Sequence, residues 1–221
     1  RSSNCYCNGR SENFRIFERV SKQIGLYFGT FNPIHVGHMI IANHMVQYAD
    51  LDQVWFVVSP QNPLKQKSSI LADYHRLALV RIAVEGNNKL KASNIEFDLP
   101  KPSYTVHTLA ALTEKYPDDK FTIIMGEDNL NSFHKWKNYE EILQLSSLLV
   151  YPRVESDENL SIKESKSEFI SHPKVTVIDA PLMKISASFI RKAIQAGNDV
   201  RYLLTEPVMK NVDEMNFYKK G

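Results

Sequence analysis

Cysteine is nearly absent from this chain of 221 residues, because the only two, Cys5 and Cys7, lie within its first ten positions. Two thiols so close together form no disulfide framework, and they cannot supply the four ligands of a structural zinc ion. A chain of this length can bury a full core without disulfides or metals. We therefore expect a reducing compartment and a cytoplasmic protein.

Long apolar runs and an excess of one charge sign are missing as well. The most apolar stretches, such as 54–58 and 121–125, are far shorter than the roughly 20 residues that span a bilayer. The 27 Lys and Arg nearly balance the 25 Asp and Glu, which leaves a formal net charge of +2. Balanced, scattered charge argues against nucleic acid polymers or membranes as partners, whereas a small charged ligand is compatible with it.

Residues 1–23 contain several arginines but lack the order of a secretory signal. We interpret them as an extension, disordered or not native to the fold, and we expect the functional domain to occupy residues 24–218. The sequence leaves a homo-oligomer open.

Short β-rich runs alternate with amphipathic stretches from Ile24 onward. This alternation is typical of a parallel sheet, and apolar strands require cover on both faces. We predict a single α/β domain of Rossmann type, a doubly wound parallel sheet that binds ligands beyond the carboxyl ends of its strands. The predicted strands are 24–28, 54–58, 90–96, 121–125, 147–151 and 174–178, and the predicted helices are 37–49, 73–85, 105–115, 139–146, 186–196 and 208–218. In the predicted helix at 73–85, spacings of three and four residues place five side chains on one face: Tyr74, Leu77, Val80, Arg81 and Val84.

The first strand runs directly into Gly29-Thr-Phe-Asn-Pro-Ile-His-Val-Gly-His38, where a helical pattern begins. Such a junction presents backbone N–H groups and the positive end of the helix dipole to an anion. His35 and His38 are three residues apart and can reach one ligand, and a protonated imidazole matches charge on a phosphoryl oxygen. A metal site is the competing interpretation, but the chain has no HExxH motif and no nearby cysteine. The junction predicts a phosphate site.

The run GTFNPIHVGH resembles the (H/T)xGH signature of the nucleotidyltransferase α/β-phosphodiesterase superfamily, and Ile185-Ser-Ala-Ser-Phe-Ile-Arg191 is similar to its second signature. Serine hydroxyls at a helix start and an arginine fork both suit phosphate oxygens. The plainer alternative is that Ser186 only caps a helix and Arg191 faces solvent. The resemblance implies that His35, His38 and Arg191 are catalytic. It implies an ATP site formed by Gly29, Thr30, Phe31, His35, Gly37, His38, Arg153, Ile185, Ser186, Ser188 and Arg191.

Within the superfamily, residues 24–218 are most similar to the bacterial nicotinate mononucleotide adenylyltransferase family. Residues 102–109 (PSYTVHTL) resemble its PSYTxxTL stretch, which implies that Thr105 lies near the pyridine carboxylate. Residues 125–136 resemble its GxDxLxxFxxW segment, which implies that Asp128 holds a ribose and that Trp136 stacks on the pyridine. The plainer alternatives are a core position for Trp136 and helix caps for Asp128 and Thr105.

The chain also departs from the family pattern. Asn32 stands where many superfamily members have aspartate. The loop after the second strand is shorter than usual, so that either Gln61 or Asn62 faces the substrate. We select Asn62 as substrate-binding and add Lys65, on a loop that could close.

The resemblance implies adenylyl transfer from ATP to nicotinate mononucleotide, giving nicotinic acid adenine dinucleotide and pyrophosphate in NAD biosynthesis. Mg²⁺ would arrive with ATP rather than in an all-protein cage, so no metal ligand is predicted. The alternatives are a nicotinamide-mononucleotide or pantetheine-phosphate adenylyltransferase, or a non-catalytic nucleotide-binding module that regulates a partner. Two histidines and Arg191 count against that module, because a mere binder needs no such phosphate clamp.

Overall fold

Six parallel strands form one sheet at the centre of the molecule, in the order β3-β2-β1-β4-β5-β6. The structure is a computed structural model that describes residues 20–60, 71–152 and 167–219. The strands are β1 Gln23–Gly29, β2 Gln53–Val58, β3 Leu90–Ser93, β4 Lys120–Gly126, β5 Ser147–Tyr151 and β6 Val175–Val177. All six residues of β2 are buried, and the five that follow Gln53 are all apolar.

Helices cover both faces of the sheet and divide the core into two clusters. The helices are α1 Val36–Tyr48, α2 Asp73–Val84, α3 Thr105–Lys115, α4 Glu127–Leu130, α5 Tyr139–Leu145, α6 Ala187–Gln195 and α7 Glu206–Glu214. One cluster packs α1, α2, α6 and α7 against the sheet through residues such as Met45, Leu79, Ile190 and Val208. The other packs α3 and α5 through Leu109 and Ile142. In the described ranges, no helix is long and apolar enough to cross a membrane.

The predicted doubly wound α/β fold is confirmed, with differences at the ends of elements. The third strand stops at Ser93 instead of 96, because a short 3₁₀-helix, Ile95–Phe97, follows it. The last helix spans 206–214 instead of 208–218, and a proline lies in its first turn, where the missing N–H costs nothing. The short helix α4 is not among the predicted elements, although the helix-cap alternative for Asp128 assumes a helix after Gly126.

The pattern proposed for α2 was wrong at two positions. Tyr74 is 65% exposed and Arg81 is also exposed, whereas Arg76 and Leu79 are completely buried. The burial of Arg76 was not predicted, because apolar spacing does not identify a polar residue as buried.

The direction of winding changes between β1 and β4. From β1 the chain moves outward through β2 to β3, and it then returns to the other side of β1 with β4. In open α/β sheets such a switch point opens a crevice at the carboxyl ends of the strands. The junction after β1 and the segment after β4 therefore flank the expected ligand site.

Candidate active site

The junction between β1 and α1 brings the two histidines into contact. His35 is the residue that precedes α1, in extended conformation, and is 5% exposed, while His38 lies half-buried in the first turn. The two imidazole rings stack, with 3.7 Å between their centroids and 25° between their planes. Gly37 permits this packing, because a Cβ atom there would lie 3.1 Å from the His35 ring.

A backbone hydrogen bond fixes the tautomer of His38. The N–H of His35 donates to Nδ1 of His38 at 3.2 Å, so the neutral imidazole carries its proton on Nε2. The Phe31 ring contacts His38 edge to face with a centroid distance of 5.1 Å. His38 is therefore held from two sides, with Nε2–H as a hydrogen-bond donor.

The structure joins the second motif to the first. Arg191, half-buried in α6, donates from Nη1 to the carbonyl oxygen of Asn32 at 2.7 Å and from Nη2 to Oγ of Ser188 at 3.3 Å. Ile185 lies beside Gly37, with 3.8 Å between its Cβ and an ideal Cβ at the glycine. Ser186 caps α6 by accepting the N–H of Phe189 at 3.2 Å. Arg191 therefore contacts the first motif instead of facing solvent only.

Asn32, the residue that departs from the family pattern, is buried and accepts hydrogen bonds from two other segments. Its Oδ1 accepts the N–H of Leu71 at 3.2 Å and the hydroxyl of Tyr218 at 2.8 Å. Burial raises the pKa of the Tyr218 phenol, and the nearby Arg191 and Arg76 act in the opposite direction. The phenol therefore stays a neutral donor that ties the C-terminal segment to the first motif.

Sequence reasoning missed Arg76, a completely buried charge that links the two loops beside the site. Its guanidinium donates to the carbonyl oxygens of Thr30, of Ser59 at 3.0 Å and of Leu71 at 3.0 Å. It also forms an ion pair with Asp73, with 2.6 Å between Nη2 and Oδ1. An acid three residues before an arginine was the only sequence signal, and it is a weak one.

The segment after β4 lies next to the start of α3. Thr105 is the first residue of α3, and Tyr104 precedes it as the N-cap, so Thr105 itself is not the cap. Lys137 connects the two segments, with Nζ 4.6 Å from the centre of the Tyr104 ring and 3.4 Å from Nε2 of His107. Trp136 and Thr105 are thereby brought to one side of the sheet.

Trp136 and Asp128 both keep access to solvent. Trp136 is half-buried and packs on Phe133 with a centroid distance of 5.4 Å, so it is not a fully buried core residue. Asp128 is exposed within α4, whose N-cap is Gly126. An ideal Cβ at Gly126 would lie only 2.5 Å from Oδ1 of Asp128, so the glycine makes room for this carboxylate.

Three predicted site residues, Asn62, Lys65 and Arg153, lie outside the described residues, as does Gln61. Their proposed contacts stay predictions. Within residues 20–60, 71–152 and 167–219, no group of three or more His, Cys, Asp or Glu could hold a metal ion.

The fold and the junction at its switch point define a Rossmann-like nucleotide-binding α/β protein. A family model described as cytidylyltransferase-like matches residues 26–193. A probable nicotinate-nucleotide adenylyltransferase of Flavobacterium johnsoniae is 55% identical over 199 residues, covering 90% of this chain and 100% of that protein. A probable nicotinate-nucleotide adenylyltransferase of Bacteroides fragilis is 42% identical over 188 residues, covering 85% and 90%.

Solved structures share the fold. The Plasmodium falciparum nicotinic acid mononucleotide adenylyltransferase complexed with NaAD aligns with a TM-score of 0.70 and 19% identity, covering 89% of this chain and 97% of that one. The same protein complexed with APC aligns with a TM-score of 0.68. The chain belongs to the cytidylyltransferase-like family and, within it, to the nicotinate-nucleotide adenylyltransferases.

Proposed function

We propose that this protein transfers the adenylyl group of ATP to nicotinate mononucleotide, forming nicotinic acid adenine dinucleotide and pyrophosphate for NAD biosynthesis. One observation carries the proposal: the stacked His35 and His38 are joined to Arg191 through the backbone of the first motif at the switch point of the sheet. The names of relatives up to 56% identical support the same activity. Scarce cysteine supports a cytoplasmic location.

The reaction needs no nucleophile from the protein. A phosphate oxygen of nicotinate mononucleotide attacks the α-phosphorus of ATP and forms the new P–O bond. The bond between the α-phosphorus and the α–β bridging oxygen breaks, and pyrophosphate leaves with its electron pair. Because a phosphate monoester is already a competent nucleophile, the protein contributes alignment and charge neutralisation.

The phosphate side of the site supplies donors for this transition state. His38 offers Nε2–H, because its Nδ1 is occupied by a backbone N–H. Oγ1 of Thr30 is buried and has no hydrogen-bond partner among the described residues, so it can donate to a phosphate. Ser186 and Ser188 lie at the start of α6 and Arg191 lies one turn further along it, and all three would hold the departing pyrophosphate. Arg153 would line the adenosine.

The pyridine side consists of Thr105, Asp128 and Trp136, together with Asn62 and Lys65. Thr105 begins an 11-residue helix, and the first N–H groups of a helix have no partner within it, so they suit a substrate carboxylate. The half-buried ring of Trp136 would stack on the pyridine, and the exposed carboxylate of Asp128 would accept ribose hydroxyls. This arrangement favours nicotinate over nicotinamide.

Mg²⁺ enters this proposal as part of the substrate Mg·ATP. It would neutralise charge on the triphosphate. The described site offers histidine, arginine and hydroxyl donors to phosphate oxygens and no cluster of acids, a donor set that suits an ion held by the nucleotide.

The acceptor preference tests the proposal. Pyrophosphate release from Mg·ATP is measured with nicotinate mononucleotide, nicotinamide mononucleotide and 4′-phosphopantetheine, and kcat/KM is compared. We expect kcat/KM for the nicotinate substrate to exceed that for the nicotinamide substrate by about 10- to 150-fold, because a lost charge-assisted hydrogen bond is worth roughly 1.5–3 kcal/mol. Faster release with either other acceptor would assign a different substrate. No release with any of them, despite ATP binding, would indicate a regulatory module.

A further inference from the structure

Glu96 is a buried acid to which the proposed reaction gives no role. It lies in the short helix Ile95–Phe97 and is 2% exposed. Burial raises the pKa of its carboxyl group, and hydroxyl groups of Thr108, Ser59 and Ser103 act in the opposite direction. A buried carboxyl group is costly unless it is hydrogen-bonded, so its presence requires a reason.

The contacts of Glu96 converge on the first turn of α3. The hydroxyl of Thr108, itself completely buried, donates to Oε1 of Glu96 at 2.8 Å. The same hydroxyl lies 3.4 Å from the carbonyl oxygen of Tyr104, the N-cap of α3. Glu96 therefore fixes the start of this helix through a side chain one turn inside it.

Ser59 and Ser103 also lie close enough to the Glu96 carboxyl group to affect its pKa. Neither Oε2 of Glu96 nor Oγ of Ser103 forms a hydrogen bond of normal geometry among the described residues, although both atoms are fully buried. Ser103 lies two residues before Thr105. Ser59 directly follows β2, and its N–H donates to the carbonyl oxygen of Gly29 at 2.9 Å. Glu96 thus lies near both the end of β2 and the segment that precedes Thr105.

We propose that Glu96 is a positioning residue that holds the N-terminal turn of α3, and with it Thr105, in the orientation that receives the pyridine mononucleotide. This role rests on the proposed function. Glu96 acts through Thr108 and does not touch the reacting phosphates. Its loss should therefore weaken nicotinate mononucleotide binding while leaving ATP binding and the chemical step intact.

The test compares KM for the two substrates in Glu96→Ala, Thr108→Val and Glu96→Gln. Glu96→Ala should raise KM for nicotinate mononucleotide about tenfold, because a displaced first turn misplaces the groups that orient the substrate. KM for ATP and kcat should stay within about twofold of wild type. Thr108→Val removes the hydroxyl at nearly constant shape and should act in the same direction, so it decides the question if Glu96→Ala does not fold. Glu96→Gln keeps an acceptor for Thr108 and should restore most of the affinity.

The matched control is Ser146→Ala, which removes another buried hydroxyl bonded to a helix carbonyl, that of Ile142 at 2.9 Å. Ser146 directly precedes β5 and so lies at the amino end of that strand, whereas the site lies at the carboxyl ends of the strands. It should leave both KM values unchanged. Equal rises in both KM values, a fall in kcat alone, or no change in Glu96→Ala would overturn the positioning role. Wild-type protein that is inactive with nicotinate mononucleotide would overturn the proposed function as well, so the two failures are distinguishable.

Discussion

Replacing His38 by alanine should lower kcat about 100- to 1,000-fold, the cost of removing one donor that is aimed at charge in a transition state. The structure presents Nε2–H of His38 as that donor, because the backbone N–H of His35 occupies Nδ1 and the Phe31 ring packs against the imidazole. The variant should bind ATP within several-fold of wild type. Initial rates at saturating Mg·ATP and nicotinate mononucleotide measure the effect.

A histidine on the same helix provides the control for His38. His44 stacks on Tyr48 with a centroid distance of 4.5 Å, two turns beyond the first turn of α1, and His44→Ala should keep full activity. The loss of the His35 N–H bond to His38 should cost only about 1 kcal/mol of stability, as for other helix caps. A His38→Ala enzyme with wild-type kcat would remove the histidine from the mechanism.

Arg76→Met should lower the free energy of unfolding by about 3–5 kcal/mol, because it leaves the hydrogen-bond partners of a buried charge without a donor. Arg76 is completely buried and donates to backbone carbonyls of the two loops beside the site as well as to Asp73. For a protein of this size the melting temperature should fall by about 10 °C. Thermal unfolding measured by circular dichroism checks this.

Arg81→Met makes the same exchange at an exposed position of α2. It should change stability by no more than about 0.5 kcal/mol, as surface substitutions usually do. Arg76→Lys should fall between the two, because one ammonium group cannot reach carbonyls on several segments. If Arg76→Met melted within 2 °C of wild type, Arg76 would not be the tie between the loops.

The sequence predicts the sheet well because parallel strands are buried on both faces. Runs such as 54–58 and 121–125 are apolar for this reason, apart from Thr122, and the observed strands β2 and β4 contain them. The phosphate junction is equally visible, since strand, glycine, histidines and helix follow one another without interruption.

The residues that hold the site in place are harder to recognise in the sequence. The partners of Arg76 are mostly backbone carbonyls, and any residue type supplies a carbonyl. Asn32 and Tyr218 form a hydrogen bond although 186 positions separate them along the chain. Glu96 looks like an ordinary surface acid until the fold places Thr108 against it. The periodicity of apolar residues indicates which face of an element is buried, but it does not identify polar groups that pair inside the core.

The central claim is one direct displacement at the α-phosphorus, aligned by His35, His38 and Arg191 without a covalent intermediate on the protein. Its most direct test uses ATP with a chiral phosphorothioate at the α-position and nicotinate mononucleotide as acceptor, followed by the configuration of the dinucleotide product. The account predicts the sulfur-labelled dinucleotide with inverted configuration. Retention would require two displacements and a protein nucleophile, and the absence of any labelled dinucleotide would contradict the transfer itself.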